Sequence, residues 1–590
     1  ARARAPPGPR AARAARHPRL TTTVRRILLR PWALTALIGL VYLLVAPPTT
    51  DLAAQAHRTA LAERGVWIVD FSWFGGHHLP SYSVLSPLLG DWLGTLTVGL
   101  LSAVLGAWAF ERLVVRAWGA SRGTAAAAWW FAGGIGALLF TGRITFMLGF
   151  AVGLVTLLAL PRPSTPRIPD GSAPDAVRTD APVEDRPTGP RHRAAAAVLV
   201  ALGAVLTALA SPVAALFLAL VGLAIAAGRV DRDLRWIALL LAGVAFAAAG
   251  ALALAFPGGG SEPFVPSALF PAIVVLLVVL AVLPSEQRGL RVGVALYLAG
   301  IVLSGLLATP MGGNATRLAA LVGGPLLIAV LWGRRPLVVA VLVLPFLYWQ
   351  LYPPVRDATQ AWSDDSAHAA YWQPADRTLR TLVAAGPGRV DVPPTARRGE
   401  ARWISPEVPL VRGWIRQLDR HRNALFYGDG DHEAAPISAA DYRGWLDDNA
   451  VRWVALPDAP PDYASRRVVA LLRAGVVPGL TRVWSDEHWT VWRVDDARPL
   501  VVAEDEQAGS AVRVTAVGAD RLSFDGAVDG VPLRVRLRWS PYLRITAGEA
   551  CLSEDEDGWT RVVPRAPGTV SVGSGLPGPW HRSPPVACAP

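Results

Sequence analysis

The chain has 590 residues, a formal net charge of +12 and a mean hydropathy of +0.35, with 52% hydrophobic residues. Repeated uncharged runs, close to the length that crosses about 30 Å of hydrocarbon, exclude a purely soluble protein and indicate a polytopic membrane protein. Much of the arginine lies in the N-terminal tail and in short loops between apolar runs. The positive charge therefore indicates membrane topology and not nucleic-acid binding.

Residues 1–30 are basic, rich in proline and free of acids, which predicts a disordered cytoplasmic tail. The first apolar run lacks a small-residue cleavage site, so we expect an anchor and not a cleaved signal. About eleven transmembrane helices are predicted within a membrane domain at 31–352. The candidate spans are 32–47, 93–110, 124–140, 144–160, 194–210, 212–228, 234–256, 270–284, 290–308, 317–332 and 336–352.

The arginine-bearing loops set the predicted orientation. With the tail in the cytoplasm, the loops that carry most arginine fall on the inner side, including the proline-rich segment 161–193, which predicts a disordered cytoplasmic linker. The largest outer loop is then 48–92. An odd number of spans places the C-terminal region outside, and the protein is expected in the plasma membrane.

From about residue 353 the composition changes to interleaved charges and tryptophans without any run long enough to span. Helical spacing at 411–427 and 438–450, with the strand-like 451-VRWVALP-457, predicts an extracytoplasmic α/β domain at 353–497. Alternating strands then predict a β-sandwich at 498–590. Cys551 and Cys588 both fall in this second domain, where a disulfide and two free buried thiols remain alternatives.

Asp51 stands where the chain leaves the first span, in 47-PPTTDLAAQ-55. A purely structural interpretation is that Thr50 caps a surface helix and that Asp51 interacts with the helix dipole. A catalytic interpretation is that an ionised carboxylate at the lipid–water boundary acts as a general base toward a lipid-linked substrate. The residues by themselves leave both interpretations open.

Further polar residues of the predicted outer loops are candidates for substrate binding. Asp70, His77, His78 and Tyr82 cluster in 70-DFSWFGGHHLPSYS-83, where aromatic and polar side chains suit sugar rings. The alternative is that the aromatic residues of this loop belong to the interfacial belt of the membrane.

Arginines on the outer side run against the usual charge bias of membrane loops. Arg143 in 141-TGR-143, and Arg317 beside Asn314 in 311-MGGNATR-317, suit a lipid phosphate, since a guanidinium fork matches two phosphate oxygens. Ordinary snorkelling at the end of a span is the alternative.

The arrangement resembles the GT-C superfamily of membrane glycosyltransferases that use polyprenyl-phosphate sugars, and particularly actinobacterial arabinosyl- and mannosyltransferases. The resemblance covers 31–352 by topology, and its sharpest residues are Asp51 and the loop 75-GGHHLPSYS-83, with 412-RGWIRQLD-419 and 451-VRWVALP-457 more loosely similar. Many members carry two closely spaced acids in this loop, whereas here Leu52 follows Asp51. A divalent metal is therefore not supported as a cofactor.

The resemblance implies an inverting transfer to a cell-envelope glycan or lipid acceptor. Asp51 would be the general base, Arg143 and Arg317 would bind the donor phosphate, and Asp70, His77, His78, Tyr82 and Asn314 would contact substrate. Two other classes of protein remain alternatives: a polytopic transporter, whose site would lie near the membrane midplane on broken helices, and a non-catalytic scaffold that binds cell-envelope glycan.

Overall fold

The computed structural model describes residues 30–161, 190–228, 230–428, 433–504, 512–576 and 588. The predicted cytoplasmic tail, except Arg30, and most of the predicted linker 161–193 lie outside the described residues. Residues from Pro190 onward form a helix. The last four residues of the predicted linker, 190–193, are therefore helical and not disordered.

Each of the eleven predicted spans coincides with a helix. The helices between residues 31 and 362 are α1 Pro31–Val45, α2 Thr50–Glu63, α3 Leu85–Leu93, α4 Thr95–Trp118, α5 Arg122–Leu138, α6 Ile144–Leu158, α7 Pro190–Ala210, α8 Pro212–Ala226, α9 Arg232–Ala255, α10 Pro266–Val282, α11 Arg288–Leu306, α12 Gly324–Leu331 and α13 Pro336–Trp362. Short 3₁₀ and π turns at Gly312–Thr316 and Ala319–Gly323 precede α12 and extend it to a continuous 312–331 segment.

Within the described residues, seven helical segments are long and apolar enough to cross a membrane. The count rises to eight if α1 and α2, which meet at a bend of 77°, form one broken span, and α6, α8 and α10 are shorter apolar helices. The predicted class, a multi-pass helical membrane protein with C-terminal β-sheets, is confirmed. Helix α13 continues to Trp362, ten residues beyond the predicted end of the last span.

The α/β unit begins with α14 Ala369–Ala385 and contains a four-stranded sheet in the order β3-β4-β6-β5. Strand β3 is parallel to β4, and the other pairs are antiparallel. The strands are β3 Arg389–Asp391, β4 Val451–Pro457, β5 Leu480–Ser485 and β6 Trp489–Val494, and the helices that accompany them are α15 Glu400–Trp403, α16 Arg416–Arg422, α17 Ala439–Asp448 and α18 Arg466–Ala474.

The C-terminal unit consists of two four-stranded antiparallel sheets, in the orders β12-β13-β10-β7 and β11-β14-β9-β8. Buried side chains from both sheets share one hydrophobic core, as in a β-sandwich. The strands are β7 Val501–Ala503, β8 Arg513–Val517, β9 Arg521–Ala527, β10 Leu533–Arg538, β11 Leu543–Ala547, β12 Ala550–Glu554, β13 Trp559–Pro564 and β14 Gly568–Ser574.

The loop that follows α2 joins both C-terminal units to the membrane helices. It folds into a small hairpin of β1 Val69–Asp70 and β2 His77–His78. Phe71 packs in the core of the sandwich, whereas Trp73 packs in the core of the α/β unit. The loop after α2 therefore contributes residues to the hydrophobic cores of both C-terminal units.

Candidate functional site

Asp51 lies in the first turn of α2. The helix begins at Thr50, and only Thr49 separates it from Pro47 and Pro48. The N-cap is Thr49 and not Thr50, and its side chain makes no capping hydrogen bond. The unpaired backbone N–H groups of a helix N-terminus favour an ionised carboxylate. The 77° bend between α1 and α2 turns this carboxylate away from the direction of the first span.

A tight turn between α5 and α6 brings Arg143 to Asp51. Gly142 has a φ of +75°, and a Cβ added there would lie 2.4 Å from the backbone nitrogen of Leu52. The turn can therefore press against the start of α2 only because residue 142 is a glycine. Arg143 then donates from Nε to Asp51 Oδ2 across 2.9 Å, with 22% of the Asp51 side chain exposed.

Arg317 lies near the Asp51–Arg143 pair, close enough to interact electrostatically with Asp51, Arg143 and Tyr82. Its guanidinium faces the Phe146 ring at 5.6 Å. Among the residues that the structure describes, no carboxylate oxygen lies within 4.0 Å of Arg317. In this part of the structure Arg143 is directly paired with an acid whereas Arg317 is not, which leaves a local excess of positive charge suited to an anion.

Arg143 and Arg317 line a small cavity of about 30 Å³. A space of this size holds roughly two water molecules and is too small for a phosphate group. Its other wall includes Pro353 and Pro354 near the end of α13. A phosphate can enter between the arginines only if some of the lining residues move.

A large apolar cavity of about 630 Å³ lies among α4, α6, α8, α10, α11, α12 and α13. One end reaches Leu318 and Ala319, which directly follow Arg317, and the other reaches the loop that holds Glu286. The apolar cavity therefore lies inside the membrane helices and comes within one residue of Arg317 along the chain, although neither Arg143 nor Arg317 lines it. Its size and lining suit a hydrocarbon chain.

Asp357 is a second acid at the site that the sequence analysis did not single out. It lies one turn beyond Pro353 and Pro354 on α13, within electrostatic range of Asp51 and Arg143, and accepts from its neighbour Arg356 at 2.7 Å. The signal in the sequence was an acid just after a proline pair in an apolar helix, but the predicted span ended before it.

Two further predicted residues lie at or near the same place. Tyr82 is half-buried, with Gln55 Nε2 at 3.4 Å from its hydroxyl and the Arg58 guanidinium 3.9 Å above its ring. Asn314 is half-buried in the turn before Arg317, and its backbone N–H donates to the Met311 carbonyl. Both remain candidates for contact with substrate.

Asp70 and His77 are placed in the protein interior, which corrects their expected exposure to substrate. Asp70 has no exposed surface, and its carboxylate accepts from Ser72 N at 2.8 Å and contacts His57 Nε2 at 2.9 Å. Burial lowers the pKa of His77 to about 3, so its ring is neutral. The physical reason is that the hairpin that carries them is part of two domain cores.

His78 lies at a junction between domains. Its ring nitrogens are 3.0 Å from the Pro257 carbonyl oxygen and 2.9 Å from Ser540 Oγ. The nearby Tyr542 hydroxyl donates to the Ala255 carbonyl at 2.7 Å. His78 thus links the sandwich to the residues that follow α9. Both of its ring nitrogens are used in this link, so neither is free for a substrate in this structure.

Cys551 and Cys588 are bonded as a disulfide, with their Cα atoms 5.1 Å apart.

The residues around Asp51 do not form a suitable ligand set for a metal ion. No group of three or more His, Cys, Asp or Glu side chains that could hold a metal comes together in the described part of the chain. At Asp51 itself, Arg143 occupies one of the two carboxylate oxygens.

Comparisons with known proteins find only remote likeness. No protein-family model matches the sequence, and no curated protein matches it. Among solved structures, the chain is similar to ArnT from Cupriavidus metallidurans in the apo state, with 11% identity over 80% of this chain and 98% of that chain and a TM-score of 0.38. It is also similar to the oligosaccharyltransferase from Archaeoglobus fulgidus in complex with zinc and sulfate, with 11% identity over 80% and 74% of the two chains and a TM-score of 0.34.

The fold and the site together define a multi-pass membrane protein whose charged site lies where α2, the α5–α6 turn and α13 meet. Both structural likenesses are too remote to assign a function, so function is inferred from the geometry of this site.

Proposed function

We propose that the chain is a membrane glycosyltransferase of the GT-C type that moves a sugar from a polyprenyl-phosphate donor to a cell-envelope acceptor. The observation that carries this proposal is the Asp51–Arg143 pair with Arg317 beside it. An apolar cavity inside the membrane helices, lined by Leu318 and Ala319 directly after Arg317, supports it, because it offers space for a hydrocarbon chain. Arabinosyl and mannosyl donors are the first to test.

The donor phosphate binds between Arg143 and Arg317. Charge-assisted hydrogen bonds from guanidinium groups are the usual means by which proteins hold phosphates. The present cavity between the two arginines is too small for a phosphate, so binding includes a displacement of some of the residues that line it. The prenyl chain occupies the apolar cavity that begins at Leu318.

The transfer is an inverting displacement at the sugar C1. The acceptor hydroxyl oxygen forms a bond to C1 while Asp51 takes the hydroxyl proton, and the bond from C1 to the phosphate oxygen breaks with its electron pair moving to the phosphate. Arg143 and Arg317 stabilise the charge that develops there. Asp51 uses the oxygen that Arg143 does not bind. The described residues around Asp51 do not form a suitable set of metal ligands, and no metal takes part in the proposed transfer.

The proposed orientation follows from this chemistry. A lipid-linked donor that is used on the outer face requires Asp51 and the two C-terminal units on the extracytoplasmic side and the N-terminus in the cytoplasm. The arginine-rich loops on the opposite side support this arrangement.

A deletion strain of the source organism, complemented with wild type, Asp51→Asn or Asp91→Asn, tests the proposal. Asp91 is an exposed acid on α3 and serves as the matched control. We expect Asp51→Asn to reduce the glycan product by roughly a hundred- to ten-thousandfold, the usual value of general-base help, and to accumulate the lipid-linked sugar. Asp91→Asn restores the product. Full complementation by Asp51→Asn would exclude the assignment, and substrate flux in proteoliposomes without sugar transfer would identify a transporter.

A further inference from the structure

A short irregular segment of the α/β unit, residues 410–415, packs against the loop after α2. Leu410 N donates to the Ser72 carbonyl at 2.7 Å, and Val411 N donates to the Val390 carbonyl at 2.9 Å. Arg412 then pairs with Asp419, with 3.0 Å between Nε and Oδ1, and both side chains are buried. Main-chain and side-chain bonds together leave this segment little freedom to move.

Gly413 brings the same segment into contact with the core. A Cβ at this position would lie 2.6 Å from the Trp73 ring, so only glycine allows the approach. Arg398 Nη1 donates to the Gly413 carbonyl at 3.2 Å. Trp73 in turn stacks on His57 of α2, with ring centroids 3.8 Å apart. The segment is thus fixed relative to the helix that carries Asp51.

The next residue, Trp414, reaches the start of α2. Its Nε1 donates to the Thr50 carbonyl at 2.8 Å, one residue before Asp51. Tyr82 meets the Trp414 ring edge-on with centroids 6.3 Å apart. Both rings are half-buried. An aromatic corner, defined by Trp414 and Tyr82, therefore lies beside the proposed catalytic acid, and one of its walls comes from the α/β unit.

The aromatic corner and the arginine pair approach Asp51 from different parts of the molecule. Arg143 comes from the turn between two membrane helices, whereas Trp414 comes from the α/β unit. In an inverting displacement, the attacking oxygen and the leaving phosphate lie on opposite sides of C1. If the arginines hold the phosphate, the acceptor must approach from the side that faces the C-terminal units.

We propose that Trp414 and Tyr82 form the acceptor subsite and that the acceptor group is a sugar ring, which makes the acceptor a glycan and not a bare lipid alcohol. This inference rests on the proposed glycosyltransferase function. Aromatic faces bind the apolar C–H face of a sugar, and the phenol hydroxyl supplies a polar contact. Trp414 is then a specificity-determining residue that the α/β unit contributes to a site in the membrane domain.

The test uses the full-length protein in nanodiscs and two probes, methyl α-D-mannopyranoside and methyl α-D-arabinofuranoside. Saturation-transfer NMR reports whether the ring C–H protons of the probes contact the protein. We expect a signal for at least one probe with wild type, a signal about tenfold weaker with Trp414→Ala, and most of the signal retained with Trp414→Phe. Trp362→Ala, at a tryptophan with 70% exposure on α13, should leave the signal unchanged.

The Phe variant separates stacking from anchoring, because phenylalanine keeps an aromatic face but cannot donate to the Thr50 carbonyl. Equal losses in Trp414→Ala and Trp414→Phe would overturn the proposal and make Trp414 an anchor only. The absence of any wild-type signal would overturn it as well. Native mass spectrometry of the same samples with decaprenyl phosphate tests the donor side: if that lipid binds and Trp414→Ala leaves the sugar signal intact, the acceptor inference fails while the proposed function stands.

Discussion

Arg143 Nε lies 2.9 Å from Asp51 Oδ2, although 92 residues separate them in the chain. The contact joins the turn after α5 to the first turn of α2, and it occupies one carboxylate oxygen while the second has no hydrogen-bond partner among the described residues. An acid that is held by a cation on one side and open on the other has a fixed orientation and keeps one oxygen free for a substrate. This geometry gives the two residues separable roles, and each can be tested.

Arg143→Gln and Arg317→Gln should each weaken binding of decaprenyl phosphate by roughly ten- to a hundredfold, since a charge-assisted hydrogen bond contributes about 1.5–3 kcal/mol. Titration of the lipid into nanodisc-embedded protein, followed by native mass spectrometry, measures the change. Arg112→Gln, at an exposed arginine on α4, is the control and should bind like wild type. Unchanged affinity in both site variants would place the phosphate elsewhere.

Gly142→Ala should reduce sugar transfer by on the order of a hundredfold, because a displacement of about 1 Å at a catalytic group has such an effect. The added Cβ meets the Leu52 backbone at 2.4 Å, and the φ of +75° is unfavourable for alanine. Gly133→Ala on α5 is the control, since its Cβ finds no atom closer than 4.0 Å. If Gly142→Ala kept wild-type transfer, the turn would not be what positions Arg143.

The membrane helices could be predicted from the sequence because their signal is local. An uncharged run of the right length gives a helix in any context that hides it from water, and each predicted span is helical. Asp51, Arg143 and Arg317 could be singled out as candidate site residues from charge placement alone. Their arrangement could not, because it depends on contacts between segments far apart in the chain, such as Gly142 against Leu52.

In two places tertiary packing changes what the local sequence pattern predicts. Residues 411–427 have helical spacing, but Leu410 and Val411 use their backbone N–H groups to bind Ser72 and Val390, so the helix begins only at Arg416. Asp70 and His77 have the residue types of a binding site, but hydrophobic neighbours draw their hairpin into two cores. Tertiary packing decided both outcomes, and a local pattern contains no information about it.

Asp391 should make the α/β unit less stable at neutral pH than at acid pH. Burial raises the pKa of Asp391 from 3.8 to about 6, with the Arg412 charge and the hydrogen bond from the Tyr442 hydroxyl acting in the opposite direction. Because the folded-state pKa lies above the unfolded one, the folded state binds the proton more tightly. Stability is therefore highest below pH 4 for this group and falls as the pH rises toward and through 6.

A shift of about two units corresponds to roughly 3 kcal/mol, which Asp391→Asn should recover at pH 7.5. Thermal unfolding of wild type and variant at pH 7.5 and pH 4.5 measures the difference. We expect the variant to melt higher at pH 7.5 and the gap to narrow at pH 4.5, where the wild-type acid is protonated in the folded state. A gap of equal size at both pH values would show that ionisation of Asp391 is not the cause.

Asp70 and Asp51 should respond to mutation in opposite ways, because one acid is enclosed and the other is open. Asp70 holds Ser72 and His57. Burial acts to raise the pKa of Asp70, but the hydrogen bonds from Ser72 and His57 to its carboxylate hold that pKa below the usual range. Asp70→Ala leaves those buried partners unsatisfied, which costs roughly 3–5 kcal/mol. We expect a lower melting temperature but a nearly normal transfer rate per folded molecule.

Asp51→Asn should show the reverse, a melting temperature near that of wild type with transfer lost, because asparagine can still accept from Arg143 but cannot take a proton. Melting curves and transfer rates normalised to the folded fraction, measured on the same preparations, separate the two effects. If Asp70→Ala melted like wild type and lost transfer per folded molecule, Asp70 would contact substrate despite its burial, and the hairpin would have to open during the reaction. Loss of stability without loss of the specific rate assigns Asp70 to the junction between the domains.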